Sequence, residues 1–205
     1  MKKISPIIAI IVLASLITGC ATSYKPIILE NMTYQRVQSD EKYTIEVAND
    51  LLLVSNNPRY QKYAQASNLK LYSVKVTNNT DKPITITYDN FVATSGQGRL
   101  PLAQLEGSVT SLKQPGAIYL LWGLLWISFC SGGGDGEDPS CVPIPIGLVI
   151  GLMNWGTASS SNSRIQSDLI SQALIGQTIQ PGQQVAGVVG LHSSSGVSVQ
   201  FSIVQ

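Results

Sequence analysis

The sequence predicts a mainly β protein: an antiparallel β-sandwich, interrupted by an apolar helical hairpin and carrying one further short helix. Three observations lead there. β-Branched and aromatic residues recur with period two in "LKLYSVKVT", Leu69–Thr77, and in "ITITY", Ile84–Tyr88, on either side of the turn chemistry of "NNTDKP". A long apolar stretch from Gly116 to Trp155 is divided by the acidic, glycine-rich "GGGDGED". Further on, "SRIQSDLISQALIG" places Ile165, Leu169, Ala173 and Leu174 near one face of a helix, with Gly176 suited to its C-terminal end.

At the N-terminus, Lys2 and Lys3, the run "IIAIIVLASLI" and small residues ahead of Cys20 have the layout of a secretory signal over residues 1–19. The run is shorter than the roughly 20 residues a spanning helix needs. "ITGC", Ile17–Cys20, resembles the lipobox of bacterial lipoproteins. That resemblance implies that Cys20 becomes the mature N-terminus, carries acyl chains on its sulfur and amine, and has membrane lipid as its partner. Ala21 in place of Asp implies sorting to the outer membrane.

Removing residues 1–19 takes two lysines from the 13 basic residues and leaves 11 against 12 acidic ones, a net charge of −1. No basic surface for nucleic acid follows from that balance. With Cys20 assigned to lipid, Cys130 and Cys141 remain, in a chain routed to an oxidising compartment, and they are expected to form a disulfide. In the chain-entropy picture a loop this short restrains the unfolded state by on the order of 3 kcal/mol.

Residues 20–32 read as a flexible lipidated tether, containing Pro26 and little periodicity, ahead of a domain over 33–205. "TYQRVQ", "KYTIEVA" and "LLLVS" read as strands separated by Ser-Asp-Glu and Asn-Asp breaks, and "NNPRYQKYAQAS" as a surface loop or short helix. The runs Leu69–Thr77 and Ile84–Tyr88 read as two adjacent antiparallel strands. "VKVTNNTDKPITI", "IQPGQQVAGVVGL" with its Pro181-Gly182 turn, and the final "GVSVQFSIV" are similar to the strand-turn-strand grammar of immunoglobulin-like domains on bacterial surface proteins. The resemblance implies an immunoglobulin-like antiparallel sandwich with residues 115–163 as an insertion.

Little in the chain points to catalysis or metal binding. The single histidine, His192, is followed by "SSSG", which has the composition of a turn rather than of a nucleophile elbow. Asp135, Glu137 and Asp138 in the tip lack the spacing of a calcium loop. The expectation is a protein without metal or cofactor, and not an enzyme.

The hairpin is the segment that stands out. Ala117–Phe129 carries no charge, and as a helix it would offer no polar face to water. Tyr119, Trp122, Trp126 and Phe129 fall at helical spacings of three, four and three. On the return arm Gly147 and Gly151 form a small-residue face that permits close approach, with Gly123 opposite. Trp122, Leu125, Trp126, Gly147, Gly151 and Trp155 are therefore the expected membrane or partner contacts. Three readings remain open: packing on its own sandwich, dipping into or crossing lipid, or docking on an envelope protein or a second copy. The corresponding function is a non-catalytic structural or binding component of the cell envelope. The alternative is a binding module for an apolar ligand such as a lipid, with the hairpin as lid.

Overall fold

The computed structural model describes residues 20–48, 50–96, 98–131, 140–193 and 198–204, with backbone alone at 36–38. The chain divides into two compact units, one formed by Gln114–Ser161 with the residues up to Ser23, the other by Tyr24–Lys113 with Asn162–Gln205. The first occupies nearly the span read from sequence as the insertion. The tip residues 132–139 and the signal residues 1–19 lie outside the described residues.

The strands are β1 (Arg36–Ser39), β2 (Tyr43–Ala48), β3 (Leu69–Asn78), β4 (Ile84–Thr85), β5 (Phe91–Ser95), β6 (Gly98–Leu100), β7 (Leu102–Ala103), β8 (Ile127–Ser131), β9 (Ser140–Ile144), β10 (Thr178–Ile179), β11 (Gln184–His192) and β12 (Gln200–Ile203). The larger unit holds an antiparallel five-stranded sheet in the order β1-β2-β3-β11-β7, a three-stranded sheet β12-β5-β6 and the pair β10-β4. Its helices are a 3₁₀ turn at Leu29–Asn31, α1 (Leu51–Val54), α2 (Pro58–Ala66), α3 (Leu105–Ser108), a 3₁₀ turn at Val109–Leu112, and the end of α4 (Ile146–Ser171). The chain is thus mixed, with about as much helix as strand, and not mainly β.

The central sheet is covered on both faces. Leu69 and Leu71 of β3 face a core shared with α1, α2 and α4, whereas Tyr72, Val74 and Val76 face a second core shared with β4, β5, β10 and β12. The apolar pattern of β3 shifts phase between Leu71 and Tyr72 because each half of the strand has its main burial on a different side. Phe201 stacks on Phe91 at 5.5 Å and meets Tyr72 edge-on at 5.6 Å in the second core.

Four elements differ from their sequence reading. "LLLVS" is a helical turn, not a strand: Asp50 enters the left-handed region at φ 52, Leu51 and Leu52 turn inward, and Ser55 Oγ donates back to the Leu51 carbonyl at 2.7 Å. Unbranched leucines lose little rotamer freedom in a helix, so the hydrophobic run serves either element. β3 and β4 are not partners; β4 pairs with β10 while β3 pairs with β2 and β11. The 20–32 segment is not a loose tether, since Tyr24, Ile27, Leu29 and Met32 are buried in the first core. Tyr24 Oη donates to Asp168 at 2.8 Å, and burial together with that carboxylate pushes its pKa upward. Finally, the short helix around Ile165 and Leu169 is the end of the 26-residue α4. The "NWGTASSSNS" stretch, turn-like in composition, stays helical with Asn154 and Thr157 donating to the carbonyls of Ile150 and Met153.

Strands on the two sides of the insertion pair four times, β3 and β7 with β11, β4 with β10 and β5 with β12. Asn78 fixes the crossover between layers. Its buried Nδ2 donates to the carbonyls of Lys82 at 2.8 Å and Ile179 at 3.0 Å, its Oδ1 accepts from Thr80, and its backbone carbonyl accepts from Gly182 at 2.8 Å. Gly182, at φ +71, supplies the left-handed residue of the Pro181-Gly182 turn. Asn78→Ala leaves the buried Ile179 carbonyl without its side-chain donor and the Thr80 amide without its Oδ1 acceptor, and is expected to destabilise the protein by about 2 kcal/mol in urea unfolding, against less than about 0.5 kcal/mol for exposed Asn79→Ala.

Candidate functional site

The hairpin unit is built from four pieces: the residues after Cys20, a 3₁₀ helix at Gly116–Leu124, the ribbon β8-β9, and the first part of α4. It is therefore not a pair of α-helices. Three residues per turn place Gly116, Tyr119, Trp122 and Leu125 in one row. That row runs antiparallel to Trp155, Gly151 and Gly147 of α4. A Cβ built on Gly151 would come within 2.7 Å of the Tyr119 carbonyl, and one built on Gly147 would fall on the Trp122 carbonyl oxygen and within 2.7 Å of Leu125 Cβ. Gly123 faces Leu148, and Gly116 faces the Trp155 ring. The close approach expected of the two glycines is present, with a tighter helix as its partner. The aromatic stripe at spacings three, four and three does not form: Tyr119 is buried in the seam, while Trp126 and Phe129 lie beyond the helix and are about 60% exposed.

Glycine at the seam leaves many of the large apolar side chains of both arms exposed. Sixteen of the twenty-one exposed large hydrophobics among the described residues belong to this unit, including Leu121, Leu124, Leu125, Trp126, Met153 and Trp155. A concentration of exposed apolar side chains on this scale marks an interaction surface.

The ribbon has two unlike faces. Its register sets Ile127 opposite Ile144 and Phe129 opposite Val142 on one face, and Ser128 opposite Pro143 and Cys130 opposite Cys141 on the other. The Cys130–Cys141 disulfide is formed and bridges directly opposed residues. All four large side chains of the first face are exposed.

The N-terminal end of the described chain is fastened to the same unit. The Ala21 amide donates to Asn154 Oδ1 at 2.7 Å, and Asn154 Nδ2 donates onward to the Ile150 carbonyl. Thr22 and Gln114 form a reciprocal pair, backbone N–H to Oε1 at 3.1 Å and Nε2 to the Thr22 carbonyl at 2.7 Å. Cys20 is exposed at the end of this clamp. Sequence reasoning did not single out Asn154 or Gln114. The available signal was an amide within or beside an uncharged apolar arm, since such a group must find partners when it packs.

No other arrangement among the described residues competes with this surface. Exposed His192 Nε2 lies 3.5 Å from Ser108 Oγ, and among the described residues no carboxylate accepts a hydrogen bond from the ring. No group of three His, Cys, Asp or Glu side chains converges there for a metal. The displaced titrations are tyrosines 24, 34 and 88, all raised chiefly by burial and so moved away from neutral pH. No helix among the described residues is long and apolar enough to cross a membrane. The chain matches no known protein family, no curated protein and no solved structure.

The seam separates three glycine substitutions. Gly147→Ala and Gly151→Ala are each expected to destabilise the hairpin unit by about 2 kcal/mol or more through overpacking. Gly156→Ala, with open space around its Cβ, is expected to stabilise α4 by up to ~1 kcal/mol. Trp122, Trp126 and Trp155 are the only tryptophans and all lie in this unit, so thermal unfolding followed by tryptophan emission reports these changes.

Proposed function

We propose that this protein is a non-catalytic lipoprotein of the outer membrane, a structural or binding component of the envelope attached at two points. One is the acylated Cys20, the residue implied by the lipobox resemblance. The other is the apolar outer surface of the hairpin unit. The observation that carries this reading is that both belong to one unit: Ala21, next to Cys20, bonds to Asn154, which adjoins exposed Met153 and Trp155. An acyl chain on Cys20 would hold that surface at the lipid.

Acyl chains on both the sulfur and the amine of Cys20 already give stable anchoring, so the second attachment matters chiefly for orientation. A second, apolar contact adds residence time and fixes orientation. It also accounts for a composition without Lys or Arg between Lys113 and Arg164, since a surface entering hydrocarbon gains nothing from cations. The larger unit is read as an elaborated immunoglobulin-like sandwich. The core between the five-stranded sheet and the smaller sheets supports that reading, and helices on the opposite face elaborate it.

The test separates the attachments. Cys20→Ala is expected to abolish incorporation of labelled fatty acid, yet the acyl-free protein should still require detergent and still partition with membranes. An acyl-free protein that is a detergent-free monomer would remove the second attachment, and normal fatty-acid labelling of the Cys20→Ala variant would remove the first.

A further inference from the structure

The register of β8 and β9 fixes how the hairpin can meet a membrane. We propose that the ribbon enters a single leaflet edge-on to neither side and spans nothing: its Ile127, Phe129, Val142 and Ile144 face lies on the acyl chains, and its Ser128, Pro143 and disulfide face looks toward headgroups and water. The inference rests on the reading that the hairpin unit contacts lipid, and it specifies the lipid region and the mode of contact.

Three observations converge on it. The first is the facial segregation, in which two cross-strand pairs of large apolar side chains share one face, with Ser131 opposite Ser140 at its tip end, and the opposite face holds Ser128, Pro143 and the bridged cysteines. A ribbon buried within a bilayer on all sides has no use for two unlike faces, whereas one lying at the interface does. The second is that the ribbon is two-stranded, so each strand has an outer edge whose N–H and C=O groups lack a sheet partner among the described residues. Hydrocarbon does not tolerate an open edge, because nothing there replaces the missing hydrogen bonds, but headgroups and water do so at the interface. The third is the place of the chain's own apolar leader: residues 1–19 end at Cys20, and Ala21 is bonded to the unit that carries the ribbon. Whatever membrane association that leader or its acyl replacement brings is delivered to the unit that carries this face. The occupant is therefore the acyl region of one leaflet, and not a second copy of the chain.

The cross-strand disulfide gives the face its permanence. An isolated two-stranded ribbon is marginal in water. Linking Cys130 to Cys141 holds Phe129 opposite Val142, so the apolar face exists before lipid is met.

The experiment uses the mature chain with Cys20→Ala, vesicles of phosphatidylethanolamine and phosphatidylglycerol, and lipids brominated at shallow or deep positions. Intrinsic tryptophan emission arises from the hairpin unit alone and needs no label. On binding, emission is expected to shift to the blue and to be quenched more by shallow than by deep bromines. Phe129→Asp is expected to weaken partitioning at least about tenfold and Ser128→Asp by less than about twofold. Both sites are exposed, and formation of the disulfide in each variant checks that the ribbon still forms. If the parent protein binds vesicles but the two substitutions act equally, or if deep bromines quench more strongly, the single-leaflet face is wrong while lipid contact stands. Release of a trapped dye would also overturn it, in favour of copies closing a spanning barrel. If the parent does not bind vesicles at all, the lipid-contact reading itself fails and this inference with it.

Discussion

The contact on which the hairpin unit depends is the one between two glycines and a run of backbone carbonyls. Gly147 and Gly151 let α4 come so near the 3₁₀ helix that no Cβ fits between them. A seam of that kind gains from close backbone packing and buries few large side chains. Leucine, isoleucine and tryptophan on both arms are then directed outward, where each fully buried would gain about 1.5–3 kcal/mol and in water forfeits it. The exposed apolar surface is thus a consequence of how the arms are joined, and the disulfide-clasped ribbon extends it along one face.

The larger unit follows the opposite rule. Its central sheet hides apolar residues on both faces, and its few buried polar groups are used as fasteners. Asn78 ties the turn after β3 to the Pro181-Gly182 turn, and Asn57 bonds the Lys25 backbone through both ends of its amide, at 2.9 Å each way. The latter contact, with Tyr24 on Asp168, binds the chain immediately after the hairpin clamp into a core. A segment that composition marks as a tether is in this way consumed by packing, leaving only residues 21–23 between Cys20 and Tyr24, where the larger unit begins.

What the sequence disclosed and what it hid divide along physical lines. Strands with long period-two runs, the Pro-Gly turn and the opposed cysteines were legible, because each is a local pattern. The hairpin glycines were legible as a place of close approach. The identity of their partner was not, since period three and period 3.6 differ little over nine residues and tertiary contact decides between them. "LLLVS" misled because leucine suits a helix at least as well as a strand. The pairing of β4 with β10 was hidden because it joins residues far apart in the chain, with the whole insertion between them. Tyr24, Asn154 and Gln114 were missed for a related reason: an isolated polar or aromatic residue has no periodicity, and its role appears only when its partner is placed.

The central claim is that the outward apolar surface of the hairpin unit meets acyl chains. It is tested most directly by growing cells on a fatty acid that carries a photoreactive diazirine near the middle of its chain, irradiating them, and mapping the adducts on the acyl-free protein by mass spectrometry. The account predicts adducts concentrated on exposed hairpin residues such as Leu124, Phe129 and Met153, and none on the central strands β3 and β11. Adducts confined to the larger unit, or crosslinks from these hairpin residues to protein in place of lipid, would contradict it.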